Sequence, residues 1–328
     1  MAAPAATFLT YSALGNREDL SNIIYRIDPA DTPFMSGVER EKAAATNHEW
    51  QVQALAAASS VNSIAEGDDL ATDTTTATVR LGNIMQISKK VARVSGTQRA
   101  VEHAGRDDEL AYQEMLKGLE LKRDMETILC GANQTRASTD IRALAPVLSW
   151  ICTNQNAFNN TAGGSSTAGQ PTSTGAGGFG NGASSRTDST MRAFKEDQLK
   201  AVLQLCWNAG GKPDTIMVGG FNKQQFSTFT GRSTPVEKSE SRRIVAAVDY
   251  YDSDFGKLSV APNRFQRARD VLVLQMEMWA VSFLNGRNML SLELAKTGDS
   301  DRRAIISEYT LVARNEKSSG GVFDVTSA

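Results

Sequence analysis

Histidine is almost missing from this chain: 328 residues hold two, His48 and His103. "HEWQV" begins like a zinc-protease helix, but the position where a second histidine would fall is Val52. A Ser/His/Asp triad is starved by the same scarcity, and His103, close to Asp107, reads as a surface residue. Cysteine is also scarce. Cys130, Cys152 and Cys206 are an odd number without CxxC spacing. They suit buried thiols in a reducing compartment better than a disulfide frame or a zinc site. No apolar run approaches 18 residues, so no membrane partner is expected. The start, "MAAPAATFLTYSALG", has neither the basic nor the apolar region of a signal peptide. There is no excess of one charge: 35 basic against 37 acidic residues leave a net charge of -2. That excludes a surface built throughout to hold nucleic acid, while a local basic face stays open. No GxSxG word or pair of carboxylates stands out, so no catalytic residue, cofactor or metal is assigned.

What is present suffices for a sizeable core, with 41% hydrophobic residues and room for about two domains. The longest helical pattern is "GRDDELAYQEMLKGLELKRDMETILCG", residues 105–131. Asp107, Asp108 and Glu109 suit the positive end of a helix dipole, and Gly131 suits its stop. The spacing predicts a helix over 107–129, about 35 Å long at 1.5 Å per residue. Its apolar residues form two clusters. Ala111, Tyr112, Met115 and Leu119 come early; Leu121, Met125, Ile128 and Leu129 come late, rotated by roughly 100°. Two packing partners are expected, with Leu119 and Met125 both buried.

The rest of the chain divides by pattern. Residues 1–45 read as an arm, with a short amphipathic helix and then extended Pro-rich chain. Residues 46–95 read as one long hairpin: "TNHEWQVQAL" and "TATVRLGNIMQISKKVARVSG" alternate, with a register shift near Lys89. Between them lies a polar tip carrying Glu66, Asp68 and Asp69. A lone two-stranded ribbon is marginal in water, so something outside it must cover it. Residues 154–190 are a Gly/Ser/Thr-rich insertion expected to be flexible. Its Gly175, Gly177 and Gly180 spell GxGxxG without the flanking strand and helix of a dinucleotide site. Residues 191–285 alternate helix and strand. Residues 288–315 form a second long hairpin expected to extend the sheet behind the long helix. "DSDFG", 252–256, reads as a hairpin turn, since Asn263 stands where a calcium loop needs Glu.

The order of these parts resembles the major capsid proteins of tailed phages, the Hong Kong 97-like fold family. Local words carry the likeness: "DPADTPFMSGV", "HEWQVQAL", "EGDD", "NIMQISKKVARVSGTQRAVEHAG", "LKRDMETILCG", "YYDSDFGKL" and "LAKTGDSDRRAIISEYTLVARNEK". They run from Asp28 to Lys317; the 154–190 insertion departs from the pattern. The resemblance implies an α+β fold with an N-terminal arm over 1–45 and an extended loop over 46–95. It implies a peripheral domain over 96–153 and 286–328 with a spine helix at 107–129, and an axial domain over 191–285. It further implies a non-enzymatic shell protein of the virion, assembled in the host cytoplasm from pentamers and hexamers of itself around double-stranded DNA held without sequence preference. A portal, scaffold or decoration protein would be a further partner. The lack of a long charged helical leader before residue 46 argues against a fused scaffolding domain. The alternative is an encapsulin-like compartment shell around a protein cargo. Contacts between subunits are expected at Trp50, at the acidic tip Glu66, Asp68 and Asp69, at the basic strip Lys89, Lys90 and Arg93, and at Arg123.

Overall fold

The computed structural model describes residues 29–67, 69, 75–102, 105–156, 171, 178–229 and 250–327. The predicted helix of the arm, His103, Asp68 and residues 157–170 and 172–177 of the insertion lie outside these.

Helix α1 (Pro33–Gly37) leads into strand β1 (Glu39–Ala43). Strands β2 (Asn47–Val52) and β3 (Val79–Ile84) pair antiparallel, with Trp50 opposite Leu81. The expected single hairpin ends there. Strand β4 (Gln86–Ser95) leaves β2 and β3 and pairs over ten residues with β12 (Ser300–Ala313). The register changes at Met85, not near Lys89. Met85 is fully buried, and its N–H donates to the Thr46 carbonyl at 2.8 Å. A buried side chain between two strands fixes which face each presents.

Short helix α2 (Gly96–Ala100) precedes α3 (Glu109–Glu126), capped by the Asp108 carboxylate on the Leu110 N–H. The helical stretch continues as a π turn, Thr127–Gly131. Helix α4 (Val147–Trp150) and strand β5 (Gln155–Asn156) follow. Helix α5 (Glu196–Asn208), strand β6 (Thr215–Val218) and helix α6 (Gly220–Phe226) come next. Asn222 lies buried within α6 and donates to the Ala268 carbonyl at 2.7 Å. Strands β7 (Tyr250–Ser253) and β8 (Gly256–Pro262) form the hairpin read at "DSDFG". Strands β9 (Val271–Leu274), β10 (Trp279–Leu284), β11 (Leu290–Leu294), β12 and β13 (Gly320–Val322) complete the chain.

Two larger sheets result. One has β12 at its centre: β4 lies along one side, and β11 and β10 share the other, with β1 parallel to β10. The second runs β5-β13-β9-β6-β8-β7. Strand membership therefore does not follow the boundaries drawn at 191 and 285. Strand β10 belongs to the β12 sheet, while β5 and β13 join the other. Strands β6 and β9 read as continuous apolar runs because both their faces are covered. Ile216, Val218, Val271 and Val273 join the core under α5 and α6. Met217, Leu272 and Leu274 point the other way, into the core shared with Leu121, Met125, Trp150 and Trp279.

Residues 178–190, the last part of the predicted flexible insertion, are part of the packed fold. Phe179 and Arg186 are buried, and the Arg186 guanidinium lies 3.4 Å over the Phe323 ring. Its Nη1 donates to Gln155 Oε1 at 2.6 Å and its Nη2 to the Ile151 carbonyl at 3.0 Å. Composition hid this, because one arginine and one phenylalanine hold what the glycines make look loose.

Candidate assembly surface

Strand β4 turns alternate residues to opposite faces. Ser88, Lys90, Ala92 and Val94 face α3; Ile87, Lys89, Val91 and Arg93 face outward and are exposed. The inner side is closed electrostatically. Lys90 Nζ sits 2.7 Å from Asp124 and 4.0 Å from Glu120, both on α3. Lys90, expected to need a partner from another subunit, has these two in its own chain, which sequence distance concealed. Arg303 on β12 likewise meets Glu114 of α3 at 2.7 Å, and the Ser291 hydroxyl donates to the same carboxylate. Those contacts hold the Glu114 carboxyl below its ordinary range.

The outer side is left open. Opposite Lys89, Val91 and Arg93 stand Ile306, Ala304 and Arg302 of β12, and beyond these Leu290, Leu292 and Leu294 of β11. Ile87 and Val91 keep 47% and 42% of their surface exposed, so this face is an apolar stripe set with Lys89, Arg93 and Arg302. Arg93 Nε donates to the Ser300 hydroxyl at 2.9 Å.

The base of the loop has the cover that its sequence alone did not show. Trp50 packs on Trp150 with ring centroids 5.4 Å apart, and Val52 and Leu81 are buried. The Asn83 amide donates to the carbonyls of Ala145 and Leu311 and accepts from the Ala145 N–H, tying β3 to the core. Between Val52 and Val79 the described chain forms no strand. Leu55, Val61 and Ile64 stand in solvent, Leu55 at 96% exposure. The tip turns at Glu66–Gly67, where Gly67 takes a φ of +84°. Glu66 and Asp69 are both exposed there. Arg123 is half-buried, its guanidinium 5.5 Å over the Phe265 ring.

Three buried polar sites escaped sequence reasoning. The Glu126 carboxylate, at 0% exposure, accepts from the N–H groups of Phe34 and Met35 at 2.8 and 2.9 Å and from Asn263 Nδ2 at 2.8 Å. Burial pushes its pKa up. A second site gathers Arg186, Arg267 and Arg269 with Asp188, Asp270 and Asp324; burial raises the Asp270 carboxyl to about 6. Glu316, also raised by burial, takes the Thr153 hydroxyl and the Cys152 thiol, and Cys152 is pushed up to about 12. The only signal in the sequence is a lone charge in an apolar word, as Glu126 in "METILCG".

A long helix packed on the β12 sheet, an exposed loop and an α/β lobe with its own core fit a subunit of the Hong Kong 97-like class. Comparison with known proteins agrees. Residues 4–326 match the model of the SU10 major capsid protein family, and the chain belongs to that family. The major capsid protein of Escherichia phage Phieco32 is 27% identical over 348 aligned residues, covering 96% of each chain. Among solved structures, the capsid of a native GTA particle aligns with a TM-score of 0.62 at 10% identity, over 95% of this chain and 96% of that one. A chain from Mycobacterium phage Cain aligns at 0.59 and 12% identity, over 98% and 100%. This is a major capsid protein of a tailed phage, a structural protein of the virion shell that assembles with copies of itself.

Proposed function

We propose that this chain builds an icosahedral shell through pentamers and hexamers, formed in the host cytoplasm, and encloses double-stranded DNA. The observation that carries the reading is apolar surface left in water at two places. Leu55, Val61 and Ile64 stand on the projecting loop, and Ile87, Val91 and Leu292 stand on the open sheet face. Burying such side chains is worth about 1.5–3 kcal/mol each, and among the described residues of one subunit nothing collects it. The loop ends in acid, at Glu66 to Asp69, and the sheet face carries Lys89, Arg93 and Arg302. Loop and face are complementary in both polarity and charge, so the loop of one subunit seats on the face of another. Trp50 and Lys90 support that contact from within their own chain, holding the loop base and the strand.

With a net charge of -2, DNA is held by confinement and a modest potential on the inner surface. A portal and a scaffold or decoration protein would complete the particle; a decoration protein accompanies the major capsid protein in the phage G structure. The family match favours this reading over a compartment for protein cargo. The test is expression of the chain followed by size-exclusion chromatography and electron microscopy, alone and with a candidate scaffold from the same phage. Rings of five and six and closed shells are expected; a compact dimer under both conditions would overturn the reading.

A further inference from the structure

Asn83 stands in an otherwise largely apolar row. The pairing of β2 with β3 sets His48, Trp50 and Val52 across from Asn83, Leu81 and Val79, on the face of the ribbon that packs on the core. Asn83 is fully buried. A primary amide offers two donors and two acceptor sites, and here all four are used. Nδ2 donates to the carbonyls of Ala145 at 3.0 Å and Leu311 at 2.8 Å, and Oδ1 accepts from the N–H groups of Ala145 and Ile84, both at 2.9 Å.

These partners belong to two separate parts of the core. Strand β4 pairs with β12 only as far as Gln86 and Tyr309. Past that point the Thr310 hydroxyl donates to the Ile84 carbonyl at 3.0 Å and Asn83 takes the Leu311 carbonyl, so side chains carry on the join where the ladder stops. Ala145 lies just before α4, and its carbonyl also accepts from Trp150 Nε1 at 3.2 Å. Trp150 is the ring on which Trp50 packs. Arg136 Nη1 adds a bond to the neighbouring Gly82 carbonyl, at 2.6 Å. A leucine or valine at position 83 would satisfy alternation and burial, but apolar contact has no direction. Hydrogen bonds weaken steeply off their axis, so four of them, shared between two parts of the core and the strand itself, admit one orientation of the ribbon.

We propose that Asn83 is a positioning residue for assembly: it sets the angle at which the loop leaves the subunit, and so the curvature of the shell that the subunits form. The proposal rests on the reading that the loop seats on a neighbouring subunit. The ribbon runs about 14 Å from Asn83 to Val79 at 3.4 Å per residue, so a turn of ~10° at Asn83 shifts its far end by about 2.5 Å. A displacement of that size breaks a hydrogen bond or parts packed rings, and it grows along the loop toward Glu66. With the base fixed, adjustment between neighbours falls to the chain between Val52 and Val79, which forms no strand among the described residues.

Hydrogen exchange of native, unassembled subunits, read residue by residue, tests the lock. The amides of Ile84 and Ala145 are expected to exchange on the order of a hundredfold more slowly than those of residues 55–64. Equal rates overturn the proposal without reference to any variant. Electron microscopy of shells tests the angle. Asn83→Ala is expected to give shells of several diameters, or open sheets, where the native chain gives one diameter. Leu203→Ala, in the separate core under α5, is the control for lost stability and is expected to keep the native diameter. The same spread of diameters from Leu203→Ala would reduce Asn83 to a core residue and sink the proposal. Asn83→Asp, whose carboxylate keeps the acceptors and loses both donors, carries the same test if Asn83→Ala does not fold. Native shells beside variant shells of the same single diameter refute this proposal and leave the assembly reading intact; no native shells refute both.

Discussion

Glu126 shows how one residue ties remote pieces of chain together. Its carboxylate satisfies two amide groups at the start of α1 and the side chain of Asn263, which lies between β8 and β9. Glu126→Ala would leave those donors buried without an acceptor. Each such loss costs about 1–3 kcal/mol, so a destabilisation of roughly 3 kcal/mol or more is expected in urea unfolding, with Glu126→Gln falling between. Asp270 should set a pH dependence. It faces Arg267 and Arg186, with Asp188 and Asp324 nearby, and burial outweighs the arginines to hold its pKa at about 6. Unfolded aspartate titrates near 3.9, so between about pH 4 and 6 the folded chain binds more protons than the unfolded chain. The Asp270 contribution is therefore fully present below that window and is lost as pH rises through 6, at no more than about 1.4 kcal/mol per pH unit. Asp270→Asn should remove that slope from unfolding midpoints measured from pH 4 to 7; an unchanged slope would place the titration elsewhere. None of this was legible in the sequence. A carboxylate announces its charge but not its burial, and the partners of Glu126 lie 91 to 137 positions away.

At the scale of elements, much more could be read. The helix expected over 107–129 is α3 plus its π turn, because caps and periodicity are local signals. The hairpin of β11 and β12 and its sheet behind α3 followed from alternation. The course of β4 did not: alternation tells which residues share a face, and says nothing of which strand lies alongside. Nor did the pattern tell which of the two apolar sides of α3 the described fold would fill. Leu119, expected to be buried, is half-buried, while Leu121 and Met125 are enclosed. Met125→Ala should accordingly cost about 2–5 kcal/mol in thermal or urea unfolding. Gly118 supplies a prediction of opposite sign. A Cβ there would lie 3.6 Å from Ile305 Cδ1 and 3.9 Å from Met289 Cε, ordinary contacts. Gly118→Ala should stabilise the subunit by about 0.5–1 kcal/mol, since glycine within a helix carries that much backbone entropy. A lowered thermal midpoint would mean that α3 and the sheet fit more closely than these distances show.

For the whole particle the relevant energies are small and many. Free capsomers should bind duplex DNA weakly, and that binding should vanish between roughly 50 and 200 mM salt, as expected of a few phosphate contacts on a chain near neutrality. The contact between loop and sheet face offers the sharper test. The strip was legible as charge and alternation; its apolar members on β11 and β12 were not, since they come from some 200 residues further along. Glu66 and Asp69 stand on the exposed tip, and Lys89 and Arg93 on the exposed face. Exposed ion pairs contribute only about 0–1 kcal/mol each. A closed shell repeats each contact many times, so a weak pair multiplied over the particle decides whether closure occurs, while each one stays weak enough to release a misplaced subunit. Glu66→Lys with Asp69→Lys should thus slow or block shell formation at low salt, followed by light scattering and electron microscopy. Adding Lys89→Glu and Arg93→Glu should restore part of the lost assembly, because both signs are then exchanged across the same contact. Restoration separates pairing from mere surface charge: a general change in repulsion would not be mended by reversing residues on a different face. If the acidic reversal assembles at the native rate in low salt, the tip is a solvated turn, and the apolar residues Leu55, Val61 and Ile64 alone hold the loop to its neighbour.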